Sequence, residues 1–446
     1  MKVLYVSDNR VRGNFGCRAT STALSQLIRQ KHEIVGVITG KYTNTNTNHL
    51  FFCKWFPNWI YKAIGKHRQN KAIEKISYWI VKKVSNCFSS HYLGGPCDYL
   101  SLDFEQSINN LKACLPANPY LEEFNLDNYD FEAMVVNGEG SFIFSTPEWR
   151  WREAMTLGML MYWAQKKGKR VYFLNAMFSD ESTSNRNYKM LEVMNDVLAK
   201  CDVVAVREEV SYNYALQYLP NVKPINIPDA LFSWYPLVND THIVTNGKYY
   251  IPHIAECDEL YETLDFTKPY ICIAGSSSGH IYDNIDKTIE VYTKLVNQLK
   301  KHILDHSLYL VEVCEGDAFL NEVSKNTRVP IVSIETPLIA AAKILANADV
   351  FISGRYHPAI MASLGGTPCV FMGSNSHKTS SLQKLLQYLS PFEFNAVPSD
   401  VEIEQMIKIA LEYIQEGQNL RKKIKKRCLS LCKESEKSVD LISNTQ

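Results

Sequence analysis

Residues Val350–Leu382 read VFISGRYHPAIMASLGGTPCVFMGSNSHKTSSL. Val350–Ile352 has the character of a buried strand, and Ser353-Gly354 of a tight turn. A short helix opens at Arg355-Tyr356-His357. Pro358 suits its first turn, where a missing N–H costs nothing. Ala359, Ile360, Ala362, Ser363 and Leu364 give a compact packing face. Gly365-Gly366 supplies the left-handed residue that ends a helix, and Thr367–Phe371 is the next strand. Strand, helix and strand joined by short links make a right-handed βαβ unit in a parallel sheet. In such sheets ligands sit outside the carboxyl ends of the strands. Arg355 and His357 fall at that edge, beside a helix N-terminus whose N–H groups favour anions. The Arg fork matches carboxylate or phosphate, and His exchanges protons near neutral pH. Met372–Lys378 brings Ser374, Ser376, His377 and Lys378 to the same edge. The alternative is a capped helix with one Arg–carboxylate bridge and a His bound to backbone. Two adjacent strand ends carrying cations and hydroxyls favour an anion pocket.

The same alternation extends upstream. Tyr270–Ala274 is a strand, followed by the loop Gly275-Ser276-Ser277-Ser278-Gly279-His280. Ser276, Ser277 and Gly279 there offer O–H and N–H donors to an anion. No Gly-Lys-Ser/Thr follows, which argues against ATP hydrolysis. Helix Asp283–His302, strands Ser307–Val313 and Val329–Ser333, and helix Pro337–Ala346 lead to the opening stretch. Downstream, helix Val401–Glu416 is interrupted by Gly417. Gln418–Ser435 then forms a basic helix carrying Arg421, Lys422, Lys423, Lys425, Lys426 and Arg427. It reads as a solvated strut, as a strut packed back across the first domain, or as a segment that meets a membrane surface.

An earlier alternation begins at the N-terminus. Lys2–Val6 is a strand, Ser7–Gly16 a polar loop, Arg18–Arg29 a helix and Ile34–Thr39 a strand. Gly13 and Gly16 meet only part of G-x-G-x-x-G. Asn14 and Gly16 therefore belong either to a loop whose backbone approaches substrate or to an ordinary turn. Strand Phe131–Asn137 ends in Asn137-Gly138-Glu139-Gly140-Ser141. Glu139 is a candidate acid, base or hydroxyl acceptor, or else a helix cap. Helix Trp149–Lys166, strand Arg170–Asn175, helix Asn187–Lys200 and strand Asp202–Val206 follow. Arg207 at the last strand's carboxyl end matches Arg355 in position, unless it is a surface partner of Glu208 or Glu209. Asp229 follows the next short strand.

The fold class expected is α/β, two Rossmann-like doubly wound domains facing a cleft. Residues 1–235 form the first, with a basic and aromatic insertion at 41–99. A linker spans 236–269, the second domain 270–417, and the basic terminal helix 418–446. Arg207, Glu139 and the Asn14 loop are expected on one wall of the cleft. Ser276–His280, Arg355–His357 and Lys378 are expected on the other. The 446 residues are 46% hydrophobic with a net charge of +1, so real cores are affordable and bulk nucleic-acid binding has no support. Twelve cysteines include no C-x-x-C pair, and no His/Cys/Asp/Glu spacing suggests a metal. MKVLYVSD reads as a strand rather than a signal peptide. No run approaches the roughly 18–20 apolar residues of a membrane span. A reduced, cytoplasmic protein is expected. The insertion either packs on the sheet or rests peripherally on an anionic inner membrane face.

Taken in order, these residues resemble the polysaccharide pyruvyl transferases. The similarity rests on Gly13-Asn14-Phe15-Gly16, Asn137–Ser141, Val204-Ala205-Val206-Arg207-Glu208-Glu209-Val210-Ser211 and Pro228-Asp229-Ala230. It rests above all on Arg355-Tyr356-His357 through Gly366-Thr367-Pro368 to Lys378, with Tyr356 where the family usually has Leu. The resemblance implies a fold like the two-domain GT-B glycosyltransferases. It implies transfer of enolpyruvate from phosphoenolpyruvate to a sugar, usually closing a cyclic ketal, with Arg207, Arg355 and His357 holding the donor. Phosphoenolpyruvate carries a carboxylate and a phosphate, a match for two Arg forks, Lys378 and the Ser276–Gly279 loop. His357 would act as general acid or assist phosphate departure. Glu139 or Asp229 would be the base on the hydroxyl. The scheme needs no metal and no cofactor. The partners it implies are phosphoenolpyruvate and a sugar or lipid-linked oligosaccharide acceptor. The rival readings are a nucleotide-sugar glycosyltransferase of the same fold and a non-catalytic glycan-binding protein.

Overall fold

The computed structural model describes residues 1–39, 99–115, 119–145, 151–180, 185–240 and 265–442. Nearly all of the 41–99 insertion and most of the 236–269 linker lie outside the described residues. The chain divides into two compact units. The first comprises Met1–Val11, Ile28–Asn226 and Leu441–Gln446; the second comprises Arg12–Leu27 and Ile227–Asp440.

In the first unit six parallel strands run in the order β2-β1-β3-β4-β5-β6. They are β1 (Lys2–Asp8), β2 (Glu33–Thr39), β3 (Ala133–Ile143), β4 (Arg170–Ser179), β5 (Val203–Val206) and β6 (Pro224–Asn226). The central β4, RVYFLNAMFS, is buried along nine of its ten residues, as a strand covered on both faces must be. Helices Phe104–Cys114, Tyr188–Leu198 and Glu209–Tyr218 open on side-chain caps from Asp103, Asn187 and Glu208. Each cap satisfies backbone N–H groups that the first turn leaves unpaired. Helix Trp151–Lys166 is apolar almost all round and lies within the core. Phe142 stands between Phe173 and Phe178, at ring separations of 4.8 and 6.0 Å.

Three strands outrun their expected limits: β1 runs through Ser7 to Asp8, where a loop is expected. β3 continues through Asn137-Gly138-Glu139-Gly140 to Ile143, and β4 continues past Asn175 to Ser179. The polar residues read as a strand end, yet they stay paired, with a register shift between Glu139 and Phe142. Gly138 makes this close pairing possible. A Cβ there would lie 2.6 Å from both Ala176 Cβ and the Phe173 ring.

In the second unit five parallel strands run in the order β11-β10-β7-β8-β9. They are β7 (Tyr270–Ser276), β8 (Ser307–Val311), β9 (Ile331–Val332), β10 (Val350–Gly354) and β11 (Cys369–Phe371). Here too polar strand ends stay paired. Gly275-Ser276 belong to β7 rather than to the loop, and Ser353-Gly354 to β10 rather than to a turn. Gly354 pairs with Ser276. A helix expected nowhere in the sequence, Leu320–Thr327, lies between β8 and β9. Helix Tyr356–Leu364 ends as expected: Gly366 takes φ +85°, and Thr367 N–H donates back to Ala362 O at 3.1 Å.

The terminal helix Asp400–Ser435 breaks its backbone at Gly417 (φ 50°, ψ −124°). Its basic half is no solvated strut. Ile424, Cys428, Leu431 and Cys432 are buried, and the helix packs on Tyr356–Leu364. Arg421 donates to the carbonyls of Ala346, Ala348 and Gly365 at 2.6–3.2 Å. Those are carbonyls that two helix ends leave without intrahelical partners. No helix among the described residues is long and apolar enough to cross a membrane.

Candidate functional site

The carboxyl edge of the second sheet collects most of the candidate residues. Arg355 leaves β10 at this edge and points a guanidinium nitrogen at Asp317, Nη2 to Oδ1 2.5 Å. The side chains are 10% and 0% exposed. Asp317 also accepts from Val313 N–H at 3.2 Å. A Cβ on Gly275 would stand 2.1 Å from its Oδ1, so only glycine fits there. Burial alone would push the Arg355 guanidinium down, but the Asp317 carboxylate outweighs that and holds it up. Arg355 is therefore a fixed cation, pinned from one side. Its Nε is buried and meets no hydrogen-bond acceptor among the described residues.

His357 lies in the first turn of the helix that follows. Its Nε2 meets Asp229 Oδ2 at 3.2 Å. Asp229 is fully buried and accepts from Thr20 Oγ1 at 2.8 Å and Leu231 N–H at 2.9 Å. A carboxylate held this way fixes the ring's orientation through Nε2. Gly16 lies against the Nδ1 side of the ring, where a Cβ would be 2.8 Å from Nδ1. Asn14 Oδ1 accepts from Gly16 N–H at 2.8 Å and Cys17 N–H at 3.2 Å, capping helix Phe15–Arg29. Phe15 N–H donates to Val313 O at 2.9 Å. The Asn14 loop thus belongs beside His357, within the second unit, and not with Arg207 and Glu139.

Ser276, Ser277 and Lys378 come from the neighbouring strand ends. Ser276 is buried; its Oγ donates to Gly373 O and accepts from Ser278 N–H at 3.0 Å. Its hydroxyl is committed to joining β7 to the loop after β11. Ser277 Oγ, half-buried, is 3.4 Å from Gly354 O and from Asn375 Oδ1. Lys378 opens helix Lys378–Leu385, with Nζ 2.7 Å from Asn375 Oδ1. Gly279 is exposed at the start of a 3-10 turn. Sequence reasoning missed Asp317, Asn375 and Thr20. Asp317 had a signal, an acid in Glu315-Gly316-Asp317 just after a strand's carboxyl end. Thr20 had none.

Glu139 and Arg207 stand at the carboxyl edge of the first unit's sheet. Glu139 is 7% exposed, sits inside β3, and accepts a short hydrogen bond from Asn9 Nδ2. It caps no helix. Arg207 is 2% exposed, so it is not the partner of a surface ion pair. Its Nη2 lies 3.6 Å from Met177 Sδ. Glu208 caps helix Glu209–Tyr218 through Ser211 N–H. Among the described residues no group of His, Cys, Asp and Glu could hold a metal ion.

The family model described as polysaccharide pyruvyl transferase matches residues 14–376. Among solved structures, UDP-GlcNAc 2-epimerase from Neisseria meningitidis bound to UDP-GlcNAc superposes at a TM-score of 0.52 with 9% identity. The match covers 99% of this chain and 98% of that one, and shows a fold of the GT-B type. A putative UDP-N-acetylglucosamine 2-epimerase from Listeria monocytogenes gives 0.49 at 9% identity, over 95% and 90% of the two chains. Phytolacca americana UGT2 complexed with UDP-2fluoro-glucose and pterostilbene gives 0.46 at 12%, over 96% and 94%. Among curated proteins there is no match.

Proposed function

Because the chain belongs to the polysaccharide pyruvyl transferase family, we propose that it moves an enolpyruvyl group from phosphoenolpyruvate to hydroxyls of a cell-surface polysaccharide sugar, closing a ketal. The observation that carries this reading is one sheet edge holding both a pinned guanidinium and a carboxylate-oriented imidazole, Arg355 with Asp317 and His357 with Asp229.

In this reading Arg355 and Lys378 receive the donor's carboxylate and phosphate, aided by Ser277 and by the N–H groups opening two helices. Arg207 supplies a further guanidinium to the donor. A sugar hydroxyl adds through oxygen to C2 while C3 takes a proton and becomes a methyl group. Glu139 removes the hydroxyl proton, and His357 delivers one to C3 or to the departing phosphate oxygen. The C2–O bond to phosphate then breaks. A second hydroxyl of the same sugar adds to C2 and gives up its proton with the phosphate. The sum is phosphoenolpyruvate plus a diol giving a ketal plus inorganic phosphate. Asp229 acts as a positioning residue for His357, since a carboxylate with no exposed surface cannot meet a hydroxyl itself. A lipid-linked oligosaccharide is the acceptor form that would give the exposed lysines of the terminal helix a membrane role.

Thermal melting with candidate donors tests the reading. Phosphoenolpyruvate at a hundred times its Kd stabilises a binding-competent fold by about 2.7 kcal/mol. CMP- and UDP-sugars should give no shift. A shift with a nucleotide sugar alone overturns the proposal in favour of glycosyl transfer.

A further inference from the structure

The outward face of the terminal helix is charged in a single sign. Residues 418–435 hold seven Lys and Arg against one Glu, in a chain whose net charge is +1. Two of the cations turn to the protein. Arg421 meets carbonyls at two helix ends, and Arg427 Nε donates to Leu385 O at 2.7 Å. Glu434, the one acid, lies 3.7 Å from Arg427. Lys422, Lys423, Lys426 and Lys433 are exposed, and none of them forms an ion pair with a described residue. Lys422, Lys426 and Lys433 form a row opposite the buried Ile424, Cys428, Leu431 and Cys432. The row is about 16 Å long at the rise of an α-helix. Leu429 continues it at 39% exposure. Like charges four positions apart on a helix repel, so the row does not serve folding.

An apolar tip stands beside the row. It follows helix Lys378–Leu385, whose last carbonyl Arg427 holds. Leu386 is buried, and the Tyr388 ring packs on Phe371 and Tyr413 at 5.6 and 6.4 Å. Leu389 comes next and is fully exposed; Ser390 and Pro391 are exposed, and Phe392 is 57% exposed. Phe392 N–H is tied to Gln383 Oε1 at 2.9 Å. Fixed neighbours on both sides thus hold Leu389 out of the core. Exposed apolar side chains rimmed by charge mark an interaction surface. Unpaired lysines beside apolar side chains suit a lipid surface, where the cations meet phosphate headgroups and the apolar groups enter the boundary beneath them.

We propose that the lysine row and the 389–392 tip form a docking surface for an anionic lipid bilayer. The purpose of docking rests on the reading of the acceptor as lipid-linked; the binding itself does not.

Co-sedimentation of the full chain with vesicles of phosphatidylcholine alone, and of phosphatidylcholine mixed with phosphatidylglycerol, tests it. The phosphoenolpyruvate thermal shift is measured in parallel. The wild type should bind the mixed vesicles only, and high salt should release it. Lys422→Gln/Lys426→Gln/Lys433→Gln should bind them at least about tenfold more weakly, because each cation near such a surface contributes. Leu389→Ser/Phe392→Ser should also weaken binding about tenfold, through lost apolar burial. Both variants change exposed side chains, so both should keep the wild-type melting temperature and the phosphoenolpyruvate shift. No binding by the wild type, or wild-type binding in the lysine variant, overturns the surface. Loss of binding in the lysine variant alone, with equal capture of the wild type by soluble polyglutamate, overturns the lipid in favour of an acidic protein. Vesicle binding that both variants lose, in a protein with no phosphoenolpyruvate shift, would retain the surface and refute the donor reading.

Discussion

Replacing Asp317 by Ala should unsettle the second unit and expose what Arg355 is for. Asp317 has no exposed surface and stands 2.5 Å from Arg355 Nη2, while also accepting from Val313 N–H. Removing it leaves a buried guanidinium without its counter-charge and a backbone donor without its acceptor. Breaking one side of a buried pair costs about 3–5 kcal/mol. For a unit of this size that corresponds to a fall of roughly 10 °C in its melting transition. The donor supplies a decisive control. If its carboxylate or phosphate meets Arg355, saturating phosphoenolpyruvate should restore more of the lost stability in Asp317→Ala than it adds to the wild type. The double variant Asp317→Leu/Arg355→Met should recover most of the stability, because an apolar pair avoids both desolvation costs. It should show no donor-induced shift. Circular-dichroism melts with and without phosphoenolpyruvate read all three effects. A loss below about 1 kcal/mol for Asp317→Ala would contradict the buried-pair account. A normal donor shift in the double variant would remove Arg355 from the donor site.

Three further outcomes are expected. Gly16→Ala places a Cβ 2.8 Å from His357 Nδ1, so the ring must move; kcat should fall about 100-fold with donor affinity nearly kept, and an unchanged kcat would detach the loop from catalysis. Asp229→Asn should cost about 10²–10⁴ in kcat, the range of a lost acid–base function, measured as phosphate release with the acceptor in excess. His306 bridges Asp349 and Asp305 at 3.3 and 2.8 Å, and its pKa is raised above 6.5, first by the bond to Asp349. Its stabilising effect is therefore complete below about pH 6.5 and fades as pH rises through the folded value. His306→Gln should flatten the melting temperature across that interval, and a profile identical to wild type would rule His306 out as its source.

Much of the architecture was legible because burial periodicity is local. Val350–Phe371 announced strand, helix and strand. Gly365-Gly366 marked a helix end by conformational need alone, and Gly417 marked the break in the terminal helix. Arg355, His357 and Arg207 could be assigned to strand ends because parallel sheets present their carboxyl edges to ligands. Polar residues misled where they were buried. Asn137–Glu139 and Ser353-Gly354 read as the ends of strands, yet hydrogen bonds to neighbouring strands carry them onward.

The sequence alone determined which residue types reach the sheet edges, since alternation and helix-ending glycines depend on neighbours a few positions away. It could not pair Arg355 with Asp317, 38 positions apart, or His357 with Asp229, 128 positions apart. Nor could it place Gly16 against an imidazole more than three hundred residues later. Those contacts follow from strand order and helix packing; Asp317 then holds the charge on Arg355 against its burial, and Asp229 sets the orientation of His357. Chemistry of that kind arises from long-range desolvation and contact, which no local pattern encodes.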